Sequence, residues 1–130
     1  MSVVDELVAR KYADPDRLFV TGGSGGGILT AWIVTKTDRF AAAASIKPVI
    51  NWMTMALAGD IAQFVRRHWI REDPWSNPDA FLKLSPISYV DQVVTPTLVM
   101  VGEEDWRTPT WEAEQFYTAL KMNDVDTALI

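Results

Sequence analysis

Apolar positions along this chain switch between helical spacing and short unbroken runs. After Ser2, with Asp5 three residues later as a helix-start signal, Val4, Leu7, Val8 and Tyr12 fall on one face at helical spacing. Asp14-Pro15-Asp16 ends that helix and turns the chain. Arg17 to Thr21 then reads as a short strand running into a glycine cluster. From Gly26 to Lys36 the pattern predicts a helix whose apolar residues Ile28, Leu29, Trp32 and Ile33 nearly surround it, so that it should be well buried. Ala41 to Ile46 predicts a second buried strand, after a turn at Asp38-Arg39. Residues 48–84 change character: they are helical or irregular, rich in Trp and Met, and interrupted by Pro74 and Pro78, with Pro86 just beyond. Thr97 to Val101 is a clear strand between Pro96 and Gly102. Thr108-Pro109 opens a helix through Lys121, and Thr127 to Ile130 starts a further strand. Strand and helix alternate, which predicts an α/β fold with parallel strands and helices on the faces.

The glycine cluster carries the sharpest chemical signal. Gly22-Gly23-Ser24-Gly25-Gly26-Gly27 lies between an apolar strand and a mostly apolar helix, and its first five residues satisfy G-x-S-x-G. A serine nucleophile at the tip of a sharp strand-to-helix turn is held strained with its hydroxyl exposed. The chain two residues before and two after passes so close that a β-carbon would clash, which places glycine at 22 and 26. Three other readings compete. A flexible linker has this composition but joins polar ends, whereas this cluster is clamped between apolar elements. A phosphate loop fails, because no G-x-G-x-x-G fits residues 22–28 and Ile28-Leu29 stand where Lys-Ser/Thr is needed. A packing turn without catalytic role is the third.

Composition narrows the function classes. A chain of 130 residues is one domain or part of one. With 48% hydrophobic residues and six tryptophans, material for a core is ample. Asp, Lys or Arg recurs too often for a membrane span. A net charge of −5 with scattered signs argues against nucleic-acid binding, the one basic cluster being Arg66-Arg67 with Arg71 among acidic residues. Zero cysteines exclude disulfides, thiolate metal sites and a cysteine nucleophile, and leave the compartment open. A single histidine excludes a His-rich metal site.

A second constellation is Val101-Gly102-Glu103-Glu104-Asp105-Trp106-Arg107. An acidic residue just after a buried parallel strand lies at the carboxyl edge of the sheet, where α/β folds place their sites. Asp105 follows Ser24 in the order Ser, Asp, His of such hydrolases, and would accept the imidazole N–H and stabilise imidazolium. A solvated acidic turn is the alternative, and Glu103 and Glu104 fit that description.

Five ordered motifs now stand together: Asp14-Pro15-Asp16-Arg17-Leu18, the serine turn, Ser85-Pro86-Ile87-Ser88-Tyr89, Thr95-Pro96-Thr97-Leu98 and Gly102-Glu103-x-Asp105-x-Arg107. In that order the chain resembles the prolyl oligopeptidase family of serine peptidases, in its acylaminoacyl-peptidase and dipeptidyl-peptidase branch, over essentially its whole length. The resemblance implies the C-terminal part of an α/β-hydrolase catalytic domain, with four parallel strands. It implies Ser24 as nucleophile, Asp105 as triad acid, and the N–H of Gly25 as one oxyanion donor. Arg107 looks like the family's arginine two residues after that aspartate, a structural anchor near the site. The implied reaction is acyl transfer from short peptides to water, N-blocked peptides included, with no cofactor and no metal. A carboxylesterase with the same machinery is the rival, since fold and triad do not choose between amide and ester. A truncated fragment with only a folding or association role is the second rival.

Departures from the family pattern shape further expectations. The family's histidine comes after the triad aspartate and beyond one more strand, whereas the single histidine, His68, lies in the 48–84 insert. His68 is therefore read as a surface or packing residue, and the segments with the triad histidine and the early strands are expected outside these 130 residues. The strand at 17–21 would then lack a neighbour on one side, and an unpaired apolar edge invites self-association or a companion segment. In the insert, Trp52, Met53, Met55, Phe64, Trp69 and Trp75 stand where such sheets carry a lid or specificity wall, or form an ordinary helical layer; no substrate-binding residue is assigned among them.

Overall fold

The computed structural model describes residues 2–130. Four strands among them, β1 (Phe19–Gly23), β2 (Ala42–Ile46), β3 (Thr97–Met100) and β4 (Thr127–Leu129), form one sheet. Every neighbouring pair is parallel, with Val20 opposite Ala43, Ser45 opposite Val99 and Thr97 opposite Thr127. The first strand starts later than the pattern predicts. Pro15–Arg17 form a 3₁₀ turn capped by the Asp14 carboxylate, which accepts the Asp16 N–H at 3.0 Å, so extension begins at Phe19 and carries on through two of the glycines.

The strands lie side by side in chain order. Each connection therefore advances in the same direction, and the right-handed crossover rule puts the connecting helices on one side. Accordingly α2 (Gly25–Val34) and α6 (Thr110–Met122) share one core with Ala43 and Val99. Ala31 and Val34 from α2, and Ala113, Phe116 and Leu120 from α6, fill it. The expected parallel strands with flanking helices are present; on the opposite face of the sheet Phe19 is 66% exposed and Ala128 is open.

Two further expectations are corrected in detail. Helix α2 is not buried all round; it turns Gly27, Thr30, Ala31 and Val34 to the sheet, and Leu29 is 61% exposed. Small residues face the strands because the helix sits close to them, and its larger apolar side chains point away. Helix α1 (Ser2–Ala9) buries no residue. It ends before Tyr12, because Lys11 adopts φ 62°, and the tyrosine is 76% exposed.

The segment between β2 and β3 is a helical layer of its own. It holds α3 (Trp52–Ala58), the short α4 (Ala62–Phe64) continuing as a π-helical turn over Val65–Trp69, and α5 (Pro78–Leu84). A 3₁₀ stretch over Pro86–Gln92 leads back to the sheet. Val49, Met55 and Val65 form a second small core under it, and Trp69 meets Trp52 edge-on at 5.2 Å.

Candidate active site

Ser24 sits between β1 and α2 with φ 55° and ψ −117°, a conformation that L-residues other than glycine rarely adopt. Its N–H donates to the Ile46 carbonyl at 3.0 Å, and its carbonyl accepts the Ile28 N–H at 3.0 Å, the first bond of the helix. The hydroxyl does not cap the helix and the residue is exposed, so the oxygen is free for chemistry. Gly25 follows as the first residue of α2, where backbone N–H groups lack intrahelical acceptors.

The glycines around this bend have distinct duties. A β-carbon on Gly22 would lie 2.5 Å from the Gly26 backbone, the close pass that the pattern predicts. A β-carbon on Gly26 would meet nothing within 4 Å beyond its own helix. The second indispensable glycine is Gly27, where a β-carbon would lie 2.2 Å from the Ile46 carbonyl oxygen. The pass of the chain at 22 against 26 is as expected, but the second position where a β-carbon would clash is 27 and not 26, one helical turn on from the serine, where α2 presses on β2.

Asp105 lies in the loop after β3. One carboxylate oxygen accepts the N–H groups of Thr108 at 2.8 Å and Arg107 at 3.0 Å. The other faces the Lys47 ammonium at 3.4 Å. Partial burial pushes the carboxyl pKa up, but the Thr108 N–H, the Arg107 N–H and the Lys47 ammonium outweigh it and hold it below its ordinary value. Asp105 is thus an ionised carboxylate with a fixed orientation.

Ser24 and Gly25 open onto a cleft of 250 Å³ walled by Ile28, Val49, Met55, Ile61, Phe64 and Trp69. Arg107 and Thr108 close its other side. Asp105 faces an adjoining hollow with Lys47, Asp60 and Arg107, so Arg107 borders both spaces. Its guanidinium grips Asp60 through two bonds, at 2.7 and 3.2 Å, which raises its pKa further, and the Asp60 N–H donates to the Trp106 carbonyl at 3.2 Å. The helical layer and the β3 loop are therefore tied together beside the serine.

Of the residues that the sequence singles out, Ser24, Gly25 and Arg107 meet in one cleft, and Asp105 stands in the neighbouring hollow at the same carboxyl end of the sheet. His68 lines neither space; its exposed ring rests on Phe64 at 4.7 Å. Lys47 and Asp60 went unnoticed. Lys47 was findable by position, since it follows β2 as Ser24 follows β1 and Asp105 follows the end of β3. Asp60 has no such signal. Among the described residues no cluster of three His, Cys, Asp or Glu side chains could hold a metal ion.

A family model described as "Prolyl oligopeptidase family" matches residues 1–130. The chain belongs to the prolyl oligopeptidase family. An uncharacterised peptidase of Bacillus subtilis, YuxL, is 39% identical over all of this chain and 20% of its own length. The acylamino-acid-releasing enzyme of Arabidopsis thaliana is 33% identical over 98% of the chain and 18% of its own length. Among solved structures, acylaminoacyl peptidase of Pyrococcus horikoshii superposes with a TM-score of 0.90 at 31% identity, over 98% of this chain and 21% of that one. The parallel sheet with its helices is thus part of an α/β-hydrolase fold, and the chain spans about a fifth of the length of the family relatives it matches.

Proposed function

We propose that this chain carries the nucleophile and the triad acid of a serine peptidase. Ser24 attacks a peptide carbonyl, the tetrahedral oxyanion is met by the Gly25 N–H, and the amine leaves to give an acyl-enzyme that water hydrolyses. Asp105 orients the imidazole that takes the serine proton and steadies its positive charge. That imidazole is not the one of His68, which rests on Phe64 and lines neither hollow. Arg107 anchors the junction between the two. On this reading the 130 residues run from the helix before the nucleophile strand to the strand after the triad acid, with 48–84 as the lid-like wall.

One observation carries the reading: a non-glycine residue at φ 55°, exposed, at a strand-to-helix bend on the carboxyl edge of a parallel sheet. Its ψ of −117° takes it outside the ordinary left-handed well, and backbone strain of this kind clusters at functional sites. The apolar walls of Val49, Met55, Ile61 and Phe64 suit an apolar substrate side chain. Short peptides, N-blocked ones included, are the substrates we infer, in keeping with the name of the Arabidopsis relative. Labelling of Ser24 by a fluorophosphonate probe in the full-length folded protein, with Ser24→Ala as control, tests the nucleophile. Parallel assays with aminoacyl-nitroanilides and nitrophenyl esters separate peptidase from carboxylesterase. Failure of the folded protein to label at Ser24 removes both and leaves an association role.

A further inference from the structure

We propose that Glu112 is a positioning residue for the Ser24 cleft, fastening the wall that follows β2 to the helix that follows the Asp105 loop. This rests on the cleft being the substrate site, and it concerns a carboxylate that the reaction does not use. Glu112 is fully buried in the first turn of α6, seven residues beyond Asp105. One of its oxygens accepts the N–H groups of both Ile50 and Asn51, each at 2.9 Å. The other takes the Thr54 hydroxyl. Asn51 in turn caps α3 by accepting the Met53 N–H at 3.0 Å, and donates from its side chain to Gln115, one turn along α6, at 3.0 Å.

These bonds join two particular things. The segment they hold, residues 50–54, is flanked by Val49 and Met55, both of which line the Ser24 cleft. The helix they hold begins just after Arg107 and Thr108, which close the same cleft from the other side. Its width is therefore set across Glu112. A buried carboxylate is a costly choice for a purely packing role, since apolar residues of similar volume would fill the space without the desolvation penalty. What the carboxylate supplies is direction: two convergent N–H groups and a hydroxyl fix one separation of the walls, and displacements of about 1 Å near reacting groups cost up to about a hundredfold in rate.

The test compares Glu112→Ala, Glu112→Gln and the milder Thr54→Val with the parent in the full-length protein, well below each melting temperature. Two readouts are used: amide hydrogen exchange, and the rate of Ser24 labelling by fluorophosphonates bearing a benzyl or a methyl group. In Glu112→Ala, exchange at Ile50 and Asn51 should rise about tenfold or more while Thr127–Leu129 stay unchanged. Its benzyl-to-methyl rate ratio should fall about tenfold. Glu112→Gln, whose carbonyl oxygen can accept both N–H groups, should restore both readouts, and Thr54→Val should shift them in the same direction by about twofold. An unchanged rate ratio in Glu112→Ala, or a uniform rise of exchange over the whole chain, overturns the proposal. If the parent itself does not label, the nucleophile reading has failed and exchange alone decides: a rise confined to residues 49–55 supports the tether, and any other pattern overturns it.

Discussion

The Ile46 carbonyl oxygen lies so close to the α-carbon of Gly27 that a β-carbon there would stand 2.2 Å from it, and the same oxygen accepts the Ser24 N–H at 3.0 Å. One backbone atom of β2 thus sets both the seat of helix α2 and the bend that bears the serine. Gly27→Ala should destabilise the fold by about 2 kcal/mol or more, because the obstacle is backbone and cannot swing aside. Gly26→Ala, with no such neighbour outside its own helix, should cost far less. Chemical denaturation of the two variants checks the contrast.

Substitution at residue 24 separates stability from chemistry. Ser24→Gly should stabilise the protein by about 1 kcal/mol, since glycine accepts φ 55° without a β-carbon penalty. Ser24→Ala keeps that penalty and should melt near the parent. Both variants should lose fluorophosphonate labelling entirely. A stable, unlabelled Ser24→Gly protein is the outcome that marks strain held for function.

Asp105→Asn should reduce turnover by about ten thousandfold, the scale seen when a triad acid loses its charge. Its signature in stability is confined to the acid limb of the pH range. The native carboxyl lies below its ordinary 3.8, so its contribution is fully present above that value and is lost as pH falls through the native pKa. Acid titration of the melting temperature should show this limb in the parent and not in Asp105→Asn.

Glu112 should behave the other way. Burial pushes its pKa up; the Thr54 hydroxyl and the N–H groups of Asn51 and Ile50 oppose this without cancelling it. Below the ordinary 4.5 the group is protonated in both states, and as pH rises the unfolded chain ionises first, so stability declines until the native pKa is passed. Glu112→Gln should remove that decline, read as a flatter melting-temperature profile above pH about 4.5.

The outer edge of β1 has no partner strand among the described residues, and Phe19 stands beside it on the open face of the sheet. The chain on its own should self-associate through this surface. Phe19→Lys should raise the monomer fraction in size-exclusion chromatography, as a charge on an edge strand blocks pairing.

How much of this was legible beforehand differs by element. The four strands and the Ser24 bend followed from apolar runs and one pentapeptide, because each is decided by a few neighbouring residues, and the parallel sense followed from the alternation of strand and helix along the chain. What escaped depends on contacts between distant segments. Gly26 and Gly27 are indistinguishable until α2 is laid against β2. Tyr12 kept the helical spacing but lay past a left-handed Lys11. Glu112 occupies the same stripe of α6 as Phe116 and Leu120, a charged residue at core spacing, and that pattern was readable. Its partners were not, since they come from a loop some sixty residues earlier.

The bend at residue 24 is held by main-chain atoms of β1, β2 and α2, whereas the surfaces around the reactive oxygen come mostly from side chains of the later helical layer. Swapping the half-buried Ile61 or the exposed Phe64 should therefore leave the bend intact while altering what fits against it, whereas Val49 and Met55 belong to the buried core beneath the layer. On the proposed reading, selectivity is retunable at these two positions without rebuilding the nucleophile bend.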